Sequence, residues 1–445
     1  MGGTALQDEV VGLARDLIRL DTSNPPGAET PAAELLAAYL RDAGVECELV
    51  GPDPERLNLV ARIEGRGQGP SIMLMAHTDV VPAPADHWTV PPFEARLRDG
   101  ELVGRGAADM KGELAARAVA LAALARSGEQ PEVDVVLVAA ADEERNTADV
   151  GMSWLVRERE DLRCEVALNE GGGWLMELAD GRRVVTVGIG EKQTTSLRLR
   201  VHGRAGHASV PDTADNPLRH VATAIDRLLA QRRPARLEPA VGRALRGLGA
   251  PAGSDDEIIA WAGGQHPLLA EMLPAMARMI VTPTGLQTHE PANVIPPFAD
   301  VICDCRALPG ETVDDIREHV DGALGDAFAY ELEPLEPLEG GTGSPIDTAL
   351  YRVCEQYVAS RLPGAELLPV VSTGFTDSHW VRKVHGTVAY GFAPVFSTDI
   401  RAYVARMHGA DEGLDVADLV EMAEFHLHVL TALSGRTPPQ VKTKS

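Results

Sequence analysis

Residues 133–146 read VDVVLVAAADEERN, an apolar run of strand length that ends abruptly in Asp142, Glu143 and Glu144. An apolar run without polar alternation reads as a strand buried on both faces, as in the parallel sheet of an α/β domain. Desolvating even one carboxylate is costly, and neighbouring carboxylates repel. Their place at the end of such a strand therefore calls for compensating positive charge. In open α/β sheets, ligands gather beyond the carboxyl ends of the strands.

Working outward, the runs NLVARIE, SIMLMA and EVALN read as further strands, separated by helical or loop segments such as GELAARAVALAALARSG. Thr4 and Gln7 form a capping-box pair ahead of Val10, Val11, Leu13, Ala14, Leu17 and Ile18, which recur at helical spacing. A second helix is expected from Thr30, with Pro31 in its first turn, to Gly44. Strands alternating with amphipathic helices predict an α/β domain with a mixed, mainly parallel sheet flanked by helices. Near Gly190 the pattern changes. TTSLRLRVHGRAG alternates apolar Leu197, Leu199 and Val201 with polar neighbours, the mark of a sheet with one solvated face. A helix over about 216–236, begun by Asn216 and Pro217, follows, and ADVICDCRA reads as another alternating strand. Between them, residues 237–290 are rich in Pro, Gly and Ala and give a poor periodic signal. The expected organisation is a domain over 1–189, an inserted α+β domain over 190–305, and the first domain resuming over 306–445, with the terminal SGRTPPQVKTKS frayed.

Composition narrows the partners. A net charge of −25 on 445 residues argues against nucleic acid or an anionic membrane as partner and suits a protein that holds cations. Neither a secretory signal nor an apolar stretch of membrane-spanning length is legible, so a cytoplasmic location is expected. The five cysteines form no disulfide framework, and Cys303 with Cys305 reads as a packing pair on one strand face.

The chemistry-bearing residues cluster at strand ends. His77 closes SIMLMAHTDVVP, with Asp79 two residues on; a carboxylate orienting a metal-binding imidazole has this form, as does a capped loop histidine. Asp109 is delivered by a loop bracketed by Gly104, Gly106 and Gly112, either as a helix N-cap or as a carboxylate able to bridge two cations. Glu143 and Glu144, on an irregular strand end, can point apart, one to a metal and one to a water, or form a solvated acidic turn. Glu170 is released into three glycines, and His408 lies in YVARMHGADEG. A set of oxygen and imidazole donors without thiolates suits borderline or hard divalent cations.

In order along the chain, HTDVVP, PPFEARLRDGELVGRGAADMKG, DEE, LNEGGG, GRAGHASVP, GFTDSH and MHGADEG resemble the co-catalytic zinc amidohydrolases. That family includes glutamate carboxypeptidase, aminoacylases, carnosinase-type dipeptidases, carboxypeptidase S and succinyl-diaminopimelate desuccinylase; the LNEGGG block leans towards carboxypeptidase S-like peptidases. The resemblance implies two zinc ions, with cobalt or manganese as possible substitutes. It places His77 and Glu170 on one ion, Glu144 and His408 on the other, and Asp109 between them. It makes Glu143 the base and Asp79 the orienting partner of His77, and it implies a cis peptide after Asp109. It further implies that the insert is a dimerisation domain, so that the protein is a homodimer. His207 then stabilises the oxyanion in the partner's site, while Asn293, Arg306, Gly374 and Thr376 contact the substrate; an ion pair is the other reading of Arg306. Asp377 and His379 are read as structural. The activity implied is hydrolysis of an amide or peptide bond beside a free carboxylate, in a small peptide, or alternatively in an N-acyl amino acid. Two readings from other classes are an inactive relative that only binds a small ligand, against which stands the complete ligand set, and a two-metal phosphoesterase, against which stands the lack of a Gly-rich phosphate cradle.

Overall fold

The computed structural model describes residues 3–433 and divides into two compact units. One comprises 1–189, 343–370 and 376–445; the other comprises 190–342 and 371–375. The terminal stretch expected to be frayed, 434–445, lies outside the described residues.

The first unit is built on a mixed sheet of nine strands. Its centre is parallel: Val135–Ala140, Ile72–His77, Val166–Asn169 and Val388–Gly391 lie side by side, each buried or nearly so along its length. These are the runs whose lack of alternation predicts two covered faces. Antiparallel strands flank them: Asn58–Ile63 and Glu46–Val50 on one side, Arg183–Glu191 on the other. The register sets His77 opposite Ala140, so the three acids that follow Ala141 leave the sheet beside His77.

Lys111–Arg126 is buried almost all round, which its Ala- and Leu-rich sequence permits, and it packs against Gly3–Ile18, Val416–Leu433 and the strand Ile72–His77. Arg117 and Glu113 are buried on it; Arg117 donates to the Met75 carbonyl and to Glu113, tying the helix to the His77 strand. The first helix already includes Gly3, so Thr4 lies inside it and does not cap it. The second runs Thr30–Asp42, and Gly44 follows in the left-handed region, as its sequence requires. A small antiparallel sheet of Arg96–Arg98, Glu101–Val103 and Gly413–Asp415 brings the loop after Val103 against the loop before Gly413. No helix among the described residues is long and apolar enough to cross a membrane.

The second unit holds an antiparallel sheet in the order Ile280–Gln287, Phe298–Ala307, Gln193–His202 and Tyr330–Pro334. Leu197, Leu199 and Val201 face a core that also takes Val221, Ala224 and Leu228 of the helix Pro217–Ala230 and Ile316, Val320 and Leu324 of the helix Val313–Leu324. Cys303 and Cys305 pack in that core as free thiols. The sequence differs from the structure in three places here. The unit runs on to Thr342 where the sequence suggests an edge near 305, because Tyr330–Pro334 pairs with Gln193–His202. The helix begun by Asn216 stops at Ala230 and does not reach 236, since Pro234 disfavours helical backbone at Arg233. Residues 237–290 contain the helices Pro239–Gly247, Asp255–Gly263 and Pro267–Met276 and then a strand. Each helix is too short for a periodic signal, yet each carries a local start: Glu238, Ser254 and His266 accept from the first-turn N–H groups.

Leu74 is fully buried and lies in register between Leu137 and Leu168. Leu74→Ala should cost about 2–5 kcal/mol, measured as a lower urea midpoint for loss of the first unit's structure. An unchanged midpoint would mean that this layer is not the unit's core.

Candidate active site

The parallel strands deliver three of the five expected metal ligands, His77, Glu144 and Glu170, together with Glu143, from their carboxyl ends. His77 is the last residue of its strand, Asp142, Glu143 and Glu144 follow Val135–Ala140, and Glu170 follows Val166–Asn169. The other two come from the loops joined by the small sheet. Glu412, fully buried, accepts from the backbone N–H of Ala108 (2.8 Å) and Asp109 (3.0 Å) through one carboxylate oxygen. Its other oxygen pairs with Arg105, which also donates to the carbonyls of His408 (3.1 Å) and Gly409 (3.0 Å). Glu412 and Arg105 thus hold Asp109 and His408 in one frame. The peptide between Asp109 and Met110 is cis.

Asp109 is the centre of the cluster. Its Oδ1 lies 3.2 Å from His77 Nε2 and its Oδ2 3.1 Å from His408 Nε2. His77 Nε2 is also 3.6 Å from Glu170 Oε2 and 4.0 Å from Glu143 Oε2, while His408 Nε2 is 3.2 Å from Glu144 Oε2. Donor atoms of His77, Asp109 and Glu144, and of His77, Glu143 and Glu170, lie close enough together to hold a metal ion. All five expected ligands and Glu143 are therefore in one place.

Electrostatics describes the same crowding. Burial, with the charge of Glu170 next, pushes the Glu143 carboxyl well above the usual range. Burial and the nearby Asp109 raise Glu144 to about 7, and burial raises Glu170. Burial would raise Asp109 too, but its contacts with His408 and His77 outweigh that and hold it low. His408, half-exposed, is raised to about 10 by Asp109 and Glu144. No lysine or arginine forms an ion pair with Asp109, Glu143, Glu144 or Glu170 among the described residues. Glu144 Oε1 is buried with no hydrogen-bond partner.

Behind the cluster, the Asp79 carbonyl accepts from His77 Nδ1 at 2.9 Å, and Asp79 Oδ1 is 3.5 Å from the same nitrogen. The Asp79 carboxylate also accepts the N–H groups of Glu143 (3.1 Å) and Glu144 (3.2 Å). Asp142 turns away from the cluster at φ 61° and accepts from Ala148 N, Asn24 and Arg56, as befits a structural turn acid. Asp377 and His379 are buried; Asp377, a neighbour of the cluster, has its carboxyl pushed well up by burial.

Four of the remaining candidates lie in the second unit. His207 is exposed on a two-residue strand paired with Val294–Ile295, its Nδ1 accepting from Ser209 N at 3.1 Å. Asn293, also exposed, accepts from Ala208 N through its carbonyl at 3.0 Å, so His207 and Asn293 share one loop cluster. Arg306 forks onto Asp304, with Nε to Oδ1 at 2.7 Å and Nη2 to Oδ2 at 2.9 Å, and Gly374 N donates to Ser372 Oγ at 3.1 Å. Thr376, in the first unit, accepts from His379 N through its carbonyl at 3.0 Å. Sequence reading missed Asn24, Arg56, Glu29, Arg105 and Glu412. The acids after His408 were the one local signal for Glu412; the others act across long sequence separations.

The chain matches the model of peptidase family M20/M25/M40 over residues 73–432. It is 36% identical over 445 residues to the succinyl-diaminopimelate desuccinylase of Alkalilimnicola ehrlichii, covering 96% of this chain and 100% of that one. It is 28% identical over 389 residues to the N-fatty-acyl-amino acid synthase/hydrolase PM20D1 of Xenopus tropicalis, covering 83% of this chain and 74% of that one. Its fold is like that of the M20 family metallo-carboxypeptidase Sso-CP2 from Sulfolobus solfataricus, with a TM-score of 0.73 at 18% identity and coverage of 96% and 99%. A family match over most of the chain, joined to identity above 30% along a whole relative, makes this protein a member of peptidase family M20/M25/M40.

Proposed function

We propose that the chain is a metal-dependent hydrolase that cleaves an amide or peptide bond beside a free carboxylate, in the manner of a carboxypeptidase or dipeptidase. The observation that carries this reading is the convergence of His77, Asp109, Glu144, Glu170 and His408 around one point with Glu143 at its edge. The set fits a pair of divalent cations. It offers carboxylate oxygens and imidazole nitrogens without thiolates. Among the described residues its crowded carboxylates have no lysine or arginine partners, and Glu144 keeps one buried oxygen unpaired.

In this reading His77 and Glu170 would hold one zinc ion, Glu144 and His408 the other, and Asp109, with one oxygen towards each histidine, would serve both; cobalt or manganese could substitute. Two such ions, when bound, polarise the scissile carbonyl and make a water acidic enough to attack near neutral pH. Glu143 takes the proton from the attacking water and passes it to the leaving nitrogen. Asp79 fixes the ring of His77. His207 stabilises the oxyanion in the partner's site of a homodimer. Arg306, with Asn293 and the backbone around Gly374 and Thr376, holds the substrate carboxylate, a task suited to a planar guanidinium.

A second reading, an N-acyl amino acid deacylase, is favoured by the full-length likeness to a succinyl-diaminopimelate desuccinylase and by the likeness to an N-fatty-acyl-amino acid synthase/hydrolase. The two share every step above and differ in the acyl group. Parallel kcat/KM measurements of the zinc-loaded protein on dipeptides and N-acyl amino acids decide between them; turnover of neither class would sink both.

Glu143→Gln should lower kcat by about 10²–10⁴-fold with metal content unchanged by atomic absorption. Normal turnover in that variant would show that another group is the base. Removal of metal by a chelator should abolish hydrolysis, and zinc, cobalt or manganese should restore it; activity that survives exhaustive chelation refutes the metal-dependent reading. His207→Ala should lower kcat by about 10²–10³-fold with little change in KM, and a variant altered in KM alone would make His207 a binding residue.

A further inference from the structure

Asn24 is buried, and its side-chain amide nitrogen spends both of its hydrogens on carboxylates. Nδ2 donates to Asp79 Oδ2 at 2.9 Å and to Asp142 Oδ1 at 2.8 Å. Those two acids come from different strand ends, and both are buried. Left to face each other they would repel.

Asp79 is the better connected of the two. Its carboxylate accepts the backbone N–H of Glu143 on Oδ1 and that of Glu144 on Oδ2, and Oδ1 lies 3.5 Å from His77 Nδ1. One side chain therefore sets the backbone of the assigned base, the backbone of one metal ligand and the ring of another. Asp142 is anchored on the far side. Its Oδ1 is shared with Arg56 at 3.2 Å, and Arg56 in turn forks onto the fully buried Glu29.

The segment carrying Asn24 is fixed on both sides. Asn24 N donates to the Val80 carbonyl at 2.9 Å, next to Asp79, and Ser23 forms a parallel bridge with Val80. Gly27, in the left-handed region at φ 84°, lies against the Arg56 guanidinium with no room for a side chain. The chemistry of the amide matters as well. A lysine or arginine at this place would neutralise Asp79 and weaken its pull on the His77 ring, whereas an uncharged double donor holds the carboxylate and leaves its charge in place.

We infer that Asn24 is a positioning residue for the metal centre: its amide clamps Asp79 to the Asp142 turn and, through Asp79, holds His77, Glu143 and Glu144 in one arrangement. This rests on the hydrolase reading given above.

The test compares the wild type with Asn24→Ala, which removes both donors, and Asn24→Ser, whose hydroxyl has one hydrogen and serves one carboxylate at a time. Zinc affinity is measured by competition with a chromophoric chelator, Tm with and without zinc, and kcat and KM at zinc saturation. Asn24→Ala should bind zinc about 10–100-fold more weakly, gain less Tm from zinc than the wild type, and lose more in kcat than it changes in KM, with Asn24→Ser between. Wild-type zinc affinity and kcat in folded Asn24→Ala would overturn the inference. So would a Tm lowered equally with and without zinc at unchanged affinity, or failure of both variants to fold, since each assigns the amide to the fold alone. A wild type that gains no Tm from zinc and shows no metal-dependent turnover would instead bring down the hydrolase reading itself.

Discussion

Carboxylates packed at the carboxyl ends of parallel strands repel one another, and the surrounding structure is arranged to keep them there. Asp109, Glu143, Glu144 and Glu170 meet in a space where burial already disfavours their charge. Two imidazoles offset part of it: His77 and His408 each take one oxygen of Asp109. Among the described residues no lysine or arginine pairs with these acids, and the nearby buried arginines are committed elsewhere. Arg105 serves Glu412, Arg56 serves Glu29 and Asp142, and Arg117 serves Glu113. Each of these pairs fixes backbone or turn geometry around the cluster while leaving the cluster acids unneutralised. Such a division makes sense if cations are to occupy the centre.

Much of this was legible in the sequence, for reasons that can be named. A strand buried on both faces announces itself by unbroken apolar residues, and an acid at its end is conspicuous because it breaks the run. His77, Glu143, Glu144 and Glu170 were found that way. The sheet of the second unit was legible by its period of two, and the burial pattern of Gln193–His202 follows it from Thr194 onward. The illegible parts have a common cause in distance or brevity. Asn24 meets Asp142 across 118 positions and Arg105 meets Glu412 across 307, with no local pattern to betray either pair. The three helices between 239 and 276 are 9, 9 and 10 residues long, and their capping residues carry more information than their periodicity. The edge of the second unit was misplaced because Tyr330–Pro334 is a short, half-polar strand whose membership is decided by its partner.

The distribution of candidate residues over the two units bears on why one family can span peptides and N-acyl amino acids. Every proposed metal ligand, and the base, belongs to the first unit; His207, Asn293, Arg306 and Gly374 belong to the second. Under the proposed function, the metal ligands and the base would belong to one unit and most of the substrate-contacting candidates to the other, so loops of the second could vary while the first stays intact. Arg306 is held in a defined orientation. Its fork onto Asp304 uses Nε and Nη2, while Nη1 has no partner among the described residues. Under the proposed function, this fork would fix the guanidinium plane in advance, so that less side-chain freedom would be lost if the remaining donors met a carboxylate. The same logic runs through Asn24 and Asp79. In both places a polar side chain is fixed by partners within the protein, which is the geometry a preorganised site requires.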